Sequence, residues 1–409
     1  MLRDLGEQSE HFVGTQLAAY EAIAHPVDAV EPACRTAEIA AVSQLKVDSL
    51  RVVADAAVVA AQRGDIIRKT PIPLHEDKQK GDMAPTSVSV VIPTFRRPEL
   101  LRRCLHSLRH QTLPAEAYEI VVVDNGPDDD TARTVELFAA AFASRPDASS
   151  SVGPGPSVRY IVEEKRGLSY AKNAGATAAV GEIVAYLDDD ALASPDWLRC
   201  VVAGFTEVEP PPYVVGGPVY PLLAGRRPAW FQDRYETASW GDHPRLLERG
   251  EYFYGANVAF RRDLLLRAGG FDPALGMKGT TLGFAEDAEV FERLRAATDG
   301  PLVSLYLPKA YVLHLIPEER VSPGYRLKRY FMIGQTKAVR DLRNPASRRW
   351  QVIGRATWRF ARAVVAAIPR DHFPRHYASW AYEQGTYCAL ALGYLAGALG
   401  FRATVQRTH

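Results

Sequence analysis

The run VSVVIPTFRRPELLRRCLHSLRHQ at Val88–Gln111, followed by EIVVVDNG at Glu119–Gly126, decides the fold. Ser87–Ile92 is a β-branched run that reads as a strand, and Pro98 can open a helix where a missing N–H is harmless. Leu100, Leu101, Cys104, Leu105 and Leu108 then recur at helical spacing. The next apolar run, Glu119–Val123, stops at Asp124-Asn125-Gly126. Further on, Thr131–Ala143 reads as a helix and Ser144–Ser157, rich in Pro, Gly and Ser, as a surface loop. A strand at Val158–Val162, a helix at Leu168–Ala179, a strand at Ile183–Leu187 and a helix at Pro195–Val208 complete the alternation. Strands that alternate with helices, and are themselves continuous apolar runs, indicate an α/β fold with a Rossmann-like, mainly parallel sheet and helices on both faces.

This α/β domain is assigned to residues 83–345. Residues 1–82 form an N-terminal extension of unassigned role, with helix-like runs such as Ala37–Gln62 and a polar linker near Pro71–Pro85. Residues 346–409, basic and aromatic at helical spacing, form a helical C-terminal subdomain. The chain has 409 residues and a net charge of +1, which gives no support for nucleic-acid binding. Its four cysteines are too scattered for a disulfide framework or a zinc site. With no signal peptide in view, a cytoplasmic setting is expected. The apolar stretch Tyr387–Phe401 is short for a membrane span and broken by Gly393, Gly397 and Gly400. It reads as a helix packed on the protein, with peripheral membrane contact as the alternative.

In parallel sheets ligands bind beyond the carboxyl ends of the strands. Here those ends carry Pro93-Thr94-Phe95, Asp124-Asn125 and Asp188-Asp189-Asp190. Adjacent carboxylates repel one another unless a cation neutralises them, and acidic oxygens suit Mg²⁺ or Mn²⁺. The plainer reading is a solvated turn whose acids cap the helix after Ser194-Pro195. A second acidic pair, Glu286-Asp287, precedes Val290, Phe291 and Leu294 at helical spacing, so it falls at a helix N-terminus, where acids also favour the dipole.

The opening stretch resembles the start of the family 2 glycosyltransferases of the GT-A fold. EEKRGLSYAKNAG at Glu163–Gly175, VAYLDDDALASPDWL at Val184–Leu198, FYGANVAFRRDLLLRAGGFD at Phe253–Asp272 and FAEDAEVFERL at Phe284–Leu294 continue the likeness in order. The resemblance implies an inverting transfer of a hexose from a nucleoside-diphosphate sugar, most often a UDP-sugar, to an acceptor hydroxyl. It places Pro93, Thr94, Arg96, Asp124, Arg166, Asn173, Asp188 and Asp189 around the nucleotide sugar. Asp190, with His314 as a further candidate, would hold Mn²⁺ or Mg²⁺. Asp287 would be the general base, supported by Glu286, and Gly255, Ala256 and Asn257 would line the sugar site. The acceptor class stays open between a carbohydrate, a lipid-linked glycan and a small natural product, as does a homo-oligomer.

Other residues divide between roles. Trp230, Phe231, Tyr235 and Trp240 suit either sugar stacking or core packing. Arg320, Arg326, Lys328 and Arg329 suit either a diphosphate or a solvated helix face. Rival functions are a sugar nucleotidyltransferase, which would want a Gly-rich basic loop after the first strand, and a non-catalytic sugar-nucleotide-binding subunit, against which Asp190 and Asp287 together argue.

Overall fold

The computed structural model describes residues 87–143, 155–277, 286–298, 300–343, 348–366 and 377–401. In chain order the first half comprises β1 (Val88–Thr94), α1 (Pro98–Leu108), β2 (Tyr118–Asp124), α2 (Asp129–Ala143), β3 (Ser157–Val162), α3 (Leu168–Ala178), β4 (Ile183–Leu187), β5 (Ala191–Ala193) and α4 (Trp197–Thr206). There follow β6 (Val214–Gly216), β7 (Val219–Leu223), β8 (Arg245–Leu246), β9 (Asn257–Arg261), α5 (Arg262–Arg267), α6 (Glu286–Ala297), β10 (Ser304–Tyr306) and β11 (Val312–Ile316). Three long helices close the chain: α7 (Pro323–Arg343), α8 (Arg349–Ala366) and α9 (Tyr377–Leu399).

The main sheet has eight strands in the order β3-β2-β1-β4-β9-β6-β10-β8. From β3 to β4 all neighbours are parallel, as their apolar runs imply. β9 then enters antiparallel to both β4 and β6, and β8 pairs antiparallel with β10. The sheet is therefore mixed but mainly parallel, with β3, β2, β1, β4, β6 and β10 running one way and only β9 and β8 opposed. The period of a buried strand reports burial and says nothing about direction, so the reversal left no mark in the sequence.

β1 and β2 are buried along their whole length. Val90, Ile92, Ile120 and Val122 pack with Leu101, Cys104, Leu105 and Leu108 of α1 on one face. Val91, Val121 and Val123 pack with Ala171 and Ala176 of α3 on the other. This two-sided cover leaves the carboxyl ends of β1, β2 and β4 as the place where polar groups can gather. A second sheet, β5-β11-β7, lies just beyond them. It pairs β11 antiparallel with β5, setting His314 opposite Ala191, one residue after the aspartate triplet.

The C-terminal helices are fastened to this core. α7 and α9 approach so closely that a Cβ on Gly393 would collide with the Phe331 carbonyl, and one on Gly334 with that of Leu390. The glycines that interrupt the last apolar stretch are thus contact points between helices. Arg326 of α7 is fully buried, reaching Glu236, the Tyr382 hydroxyl and, at 2.9 Å, the Tyr235 carbonyl. Phe231, Tyr235 and Tyr382 surround its guanidinium at 5.3–5.9 Å from ring centroid to Cζ. The packing alternative therefore holds for Phe231 and Tyr235. Trp230 joins them, 4.7 Å from the Tyr382 ring, and its carbonyl accepts from Ser379 at 2.9 Å. Arg329 pairs with Glu236 at 2.8 Å, so neither it nor Arg326 faces solvent in the manner of a free helix face. Among the described residues no helix is long and apolar enough to cross a membrane. Residues 1–82 and 144–154 lie outside the described residues.

Candidate active site

Each polar strand end contributes differently. Asp188, Asp190 and His314 each offer one ligand atom, and these atoms lie within 4.8 Å of one another. Two carboxylates and an imidazole form a donor set that can hold a divalent metal ion. His314 reaches it from β11, its Nε2 3.1 Å from Asp190 Oδ1. Asp190 is buried, which opposes its charge, yet His314, Arg97 and Arg320 outweigh burial and hold its carboxyl well below the usual range. Arg97 Nη1 lies 3.0 Å from Asp190 Oδ2, and Arg320 Nη2 3.5 Å from the same oxygen. Asp188 moves the opposite way, pushed up by burial and by the neighbouring Asp190.

Asp189 points elsewhere. Its carboxylate takes a bidentate grip from Arg97 and accepts from the Thr94 hydroxyl at 2.8 Å. These bonds tie β1 to the triplet. Pro93 lies inside β1 opposite Val123. Arg96 adopts a left-handed backbone, φ 51°, and its exposed side chain stands over the Phe95 ring at 5.7 Å. Arg97, next to it, is the residue that engages the aspartates.

At the end of β2, Asp124 is buried and accepts from the Gly126 N–H at 2.9 Å and the Tyr160 hydroxyl at 2.8 Å. Asn125 receives the Gly167 N–H and donates to the Glu163 and Lys165 carbonyls, latching the loop that carries the exposed Arg166. Asn173 is turned away from that loop. Its carboxamide exchanges hydrogen bonds with the backbone of Phe271, at 2.7 and 2.8 Å, and so braces the chain there.

A second polar cluster centres on Lys172, a fully buried lysine of α3. Its ammonium lies 2.9 Å from Asp287 Oδ1, 3.7 Å from Glu286 Oε1 and 4.7 Å from the centroid of Phe271. Burial alone would lower its pKa, but Asp287, Glu286 and Asp188 prevail and raise it. Glu286 is pushed up to about 7 by burial and by Asp287, with Lys172 pulling back. The other Asp287 oxygen accepts the Gly255 N–H at 2.8 Å. A Cβ on Gly255 would collide with Lys172 Nζ and lie 2.7 Å from Asp287 Oδ1, so a larger residue there would displace these charged ends. Ala256 and Asn257 go the other way. Ala256 packs in the core, and Asn257 is buried, accepting from Trp197 Nε1 and donating to the Pro218 and Ala310 carbonyls.

The two clusters meet at Asp188. It feels Asp190 and His314 on one side and Lys172 and Asp287 on the other. Asp188, one of the three donors, is thus also close enough to Lys172 and Asp287 to feel their charge.

Residues 89–266 match the family described as glycosyl transferase family 2. The chain is 31% identical over 266 residues to the glucosyl-dolichyl phosphate glucuronosyltransferase of Haloferax volcanii, a match covering 63% of this chain and 78% of that one. The chain belongs to glycosyltransferase family 2. This family 2 enzyme is also 29% identical over 235 residues to a validoxylamine A glucosyltransferase of Streptomyces hygroscopicus, covering 51% of each. Among solved structures, the mannosyltransferase PcManGT from Pyrobaculum calidifontis in complex with GDP-Man and Mn²⁺ aligns with 85% of this chain and 97% of that one, at 21% identity and a TM-score of 0.48.

Three residues near the two clusters escaped the sequence reading. Arg97 and Lys172 are cations in stretches that look like solvated helix and turn, and only their acidic partners, distant in sequence, reveal them. Tyr254, 48% exposed and next to Gly255, lies tilted against Tyr252 with ring centroids 5.8 Å apart and offers the glycosyltransferase an aromatic face at the edge of the Asp287 cluster.

Proposed function

We propose that this glycosyltransferase moves a hexose from a nucleoside-diphosphate sugar, UDP being the first nucleotide to test, to an acceptor hydroxyl with inversion at the anomeric carbon. The observation that carries the reading is the convergence of Asp188, Asp190 and His314 on one point, with Asp287 held nearby. The three would hold Mn²⁺ or Mg²⁺. When bound, that ion supplies positive charge where the departing diphosphate accumulates negative charge. Asp287, fixed through one oxygen by Lys172 and through the other by the Gly255 N–H, takes the proton of the acceptor hydroxyl. The acceptor oxygen forms its bond to the anomeric carbon from the face opposite the leaving group as the carbon–oxygen bond to the diphosphate breaks. One such displacement inverts the centre. Arg97 keeps the triplet in place, and Tyr254 offers a surface for the acceptor ring. Residues 83–345 are the catalytic unit in this reading, with residues 1–82 and 346–409 as additions to it.

The test is release of nucleoside diphosphate from a panel of sugar nucleotides, with Mn²⁺ and with chelator, followed by the anomeric configuration of the product. Metal-dependent turnover of at least one donor with inversion is expected. Tight donor binding with no turnover under any condition would leave a non-catalytic subunit, and a retained configuration would remove Asp287 from its role.

A further inference from the structure

We infer that the outer face of α8 docks on an anionic lipid surface. The helix begins next to the end of α9 and buries Val352 and Ala356 with Tyr394 and Ala398 of that helix. Its opposite side carries an apolar stripe at spacings of three and four residues: Trp350, Gly354, Trp358, Ala361 and Val365. Trp350 is 66% exposed, Trp358 59% and Val365 51%. Two indoles left in water on one helical stripe are costly unless something covers them.

The charge on the same helix names the partner. The sequence RWQVIGRATWRFARAVVA holds four arginines and no acid. Arg362 stacks over the Trp358 ring at 4.8 Å, and Arg359 over Tyr394 at 5.1 Å, so the cations are interleaved with the aromatic groups along the helix. Arg348 adds a further cation just before it. An amphipathic helix with tryptophans on its apolar stripe and arginines beside it fits the boundary between acyl chains and anionic headgroups. An acidic protein surface would satisfy the arginines and leave the indoles wet. α8 is not of a length and apolarity that could cross a bilayer, so it lies on the surface. An enzyme held there meets acceptors carried in the same surface, lipid-linked sugars among them, a consequence that rests on the transfer reading above. The docking itself does not.

Flotation of the full chain with vesicles decides the matter, since it needs neither donor nor turnover. Vesicles of phosphatidylcholine alone are compared with an equal mixture of phosphatidylcholine and phosphatidylglycerol. The chain should float with the mixed vesicles and not with the neutral ones, and added salt should weaken the association. The double variant Trp350→Ser, Trp358→Ser should bind about tenfold or more weakly, and so should Arg355→Glu, Arg362→Glu. All four side chains are surface groups, so unchanged thermal unfolding confirms that each variant folds. No flotation of the parent with mixed vesicles overturns the inference. So does equal binding by parent and both variants, or a solution dimer of the parent that the tryptophan variant dissolves, which would make a second copy the occupant.

Discussion

The ammonium of Lys172 is 2.9 Å from Asp287 and 3.7 Å from Glu286, and water has almost no access to it. Two acids at one helix start are thereby held by one cation from another helix. Lys172→Met should remove this support and leave two carboxylates without a counter-charge. A loss of about 3–5 kcal/mol in unfolding free energy is expected, together with a lower kcat. Denaturant titration and turnover measure the two effects, and an unaltered denaturation midpoint would show that the pair contributes nothing to the fold.

Asp287→Asn keeps the size of the side chain and its contact with Gly255 but cannot accept a proton. Donor affinity, read by calorimetry, should stay within a few-fold, while transfer drops by roughly 10²–10⁴. Near-normal transfer in this variant would assign the base to another group.

Asp190→Ala removes the acid that His314, Arg97 and Arg320 all touch. Donor binding should lose its dependence on Mn²⁺. His314→Ala should weaken Mn²⁺ affinity by roughly tenfold or more. Because burial and Asp190 push Asp188 up, protons compete with a cation for it, so Mn²⁺ affinity of the parent should fall as pH is lowered. Affinity that does not change with pH would exclude Asp188 from the ligand set.

Glu286 gives the fold a pH signature of known sign. Its carboxyl titrates near 4.5 when free and near 7 in the folded protein. Across that window the native state binds more protons than the unfolded one, so stability falls as pH rises from about 4.5 towards 7. Glu286→Gln should flatten this part of the stability–pH curve relative to the parent. Urea unfolding at both ends of the window, in chelator, measures the slope, and identical slopes in the two proteins would contradict the assignment.

Gly255→Ala inserts a methyl group where Lys172 and Asp287 already meet. The expected result is a fall in kcat of about tenfold or more with donor affinity little changed, since an ångström-scale displacement of an acting group is expensive. Tyr254→Ala, by contrast, should raise the KM for acceptor and spare kcat, and steady-state kinetics separate the two patterns.

The parallel half of the sheet was legible because Val88–Ile92, Glu119–Val123 and Ile183–Leu187 are apolar runs punctuated by helix signals. Nothing in the apolar residues of β9 announced that it runs antiparallel to its neighbours. β5, β7 and β11 together form a sheet that no periodicity announces, since each is three to five residues long. At the site, the resemblance marked Asp188, Asp190 and Asp287, which residue type alone left open between cation binding and helix capping. It was not enough to distinguish Arg97 from Arg96, or Asp189 from its neighbours. A carboxylate facing a pocket and one facing a guanidinium have the same letter, and only the backbone turn after β1 sorts them. The backbone partners of Asn173 and Asn257 were hidden for a related reason: a carboxamide that satisfies buried backbone groups looks in sequence like one that could bind a sugar.

The guanidinium enclosed by Phe231, Tyr235 and Tyr382 bears on how far the chain can be shortened. The family match ends at residue 266, and a construction limited to it, or stopped anywhere before Tyr382, would strand Glu236 or Arg326 without its counterpart in a solvent-free niche. Deletions from the carboxyl end should therefore fail abruptly at that tyrosine, giving insoluble product instead of a smaller working enzyme. What alignment draws as a trailing appendage is, in mechanical terms, the keystone of the segment between β7 and β8.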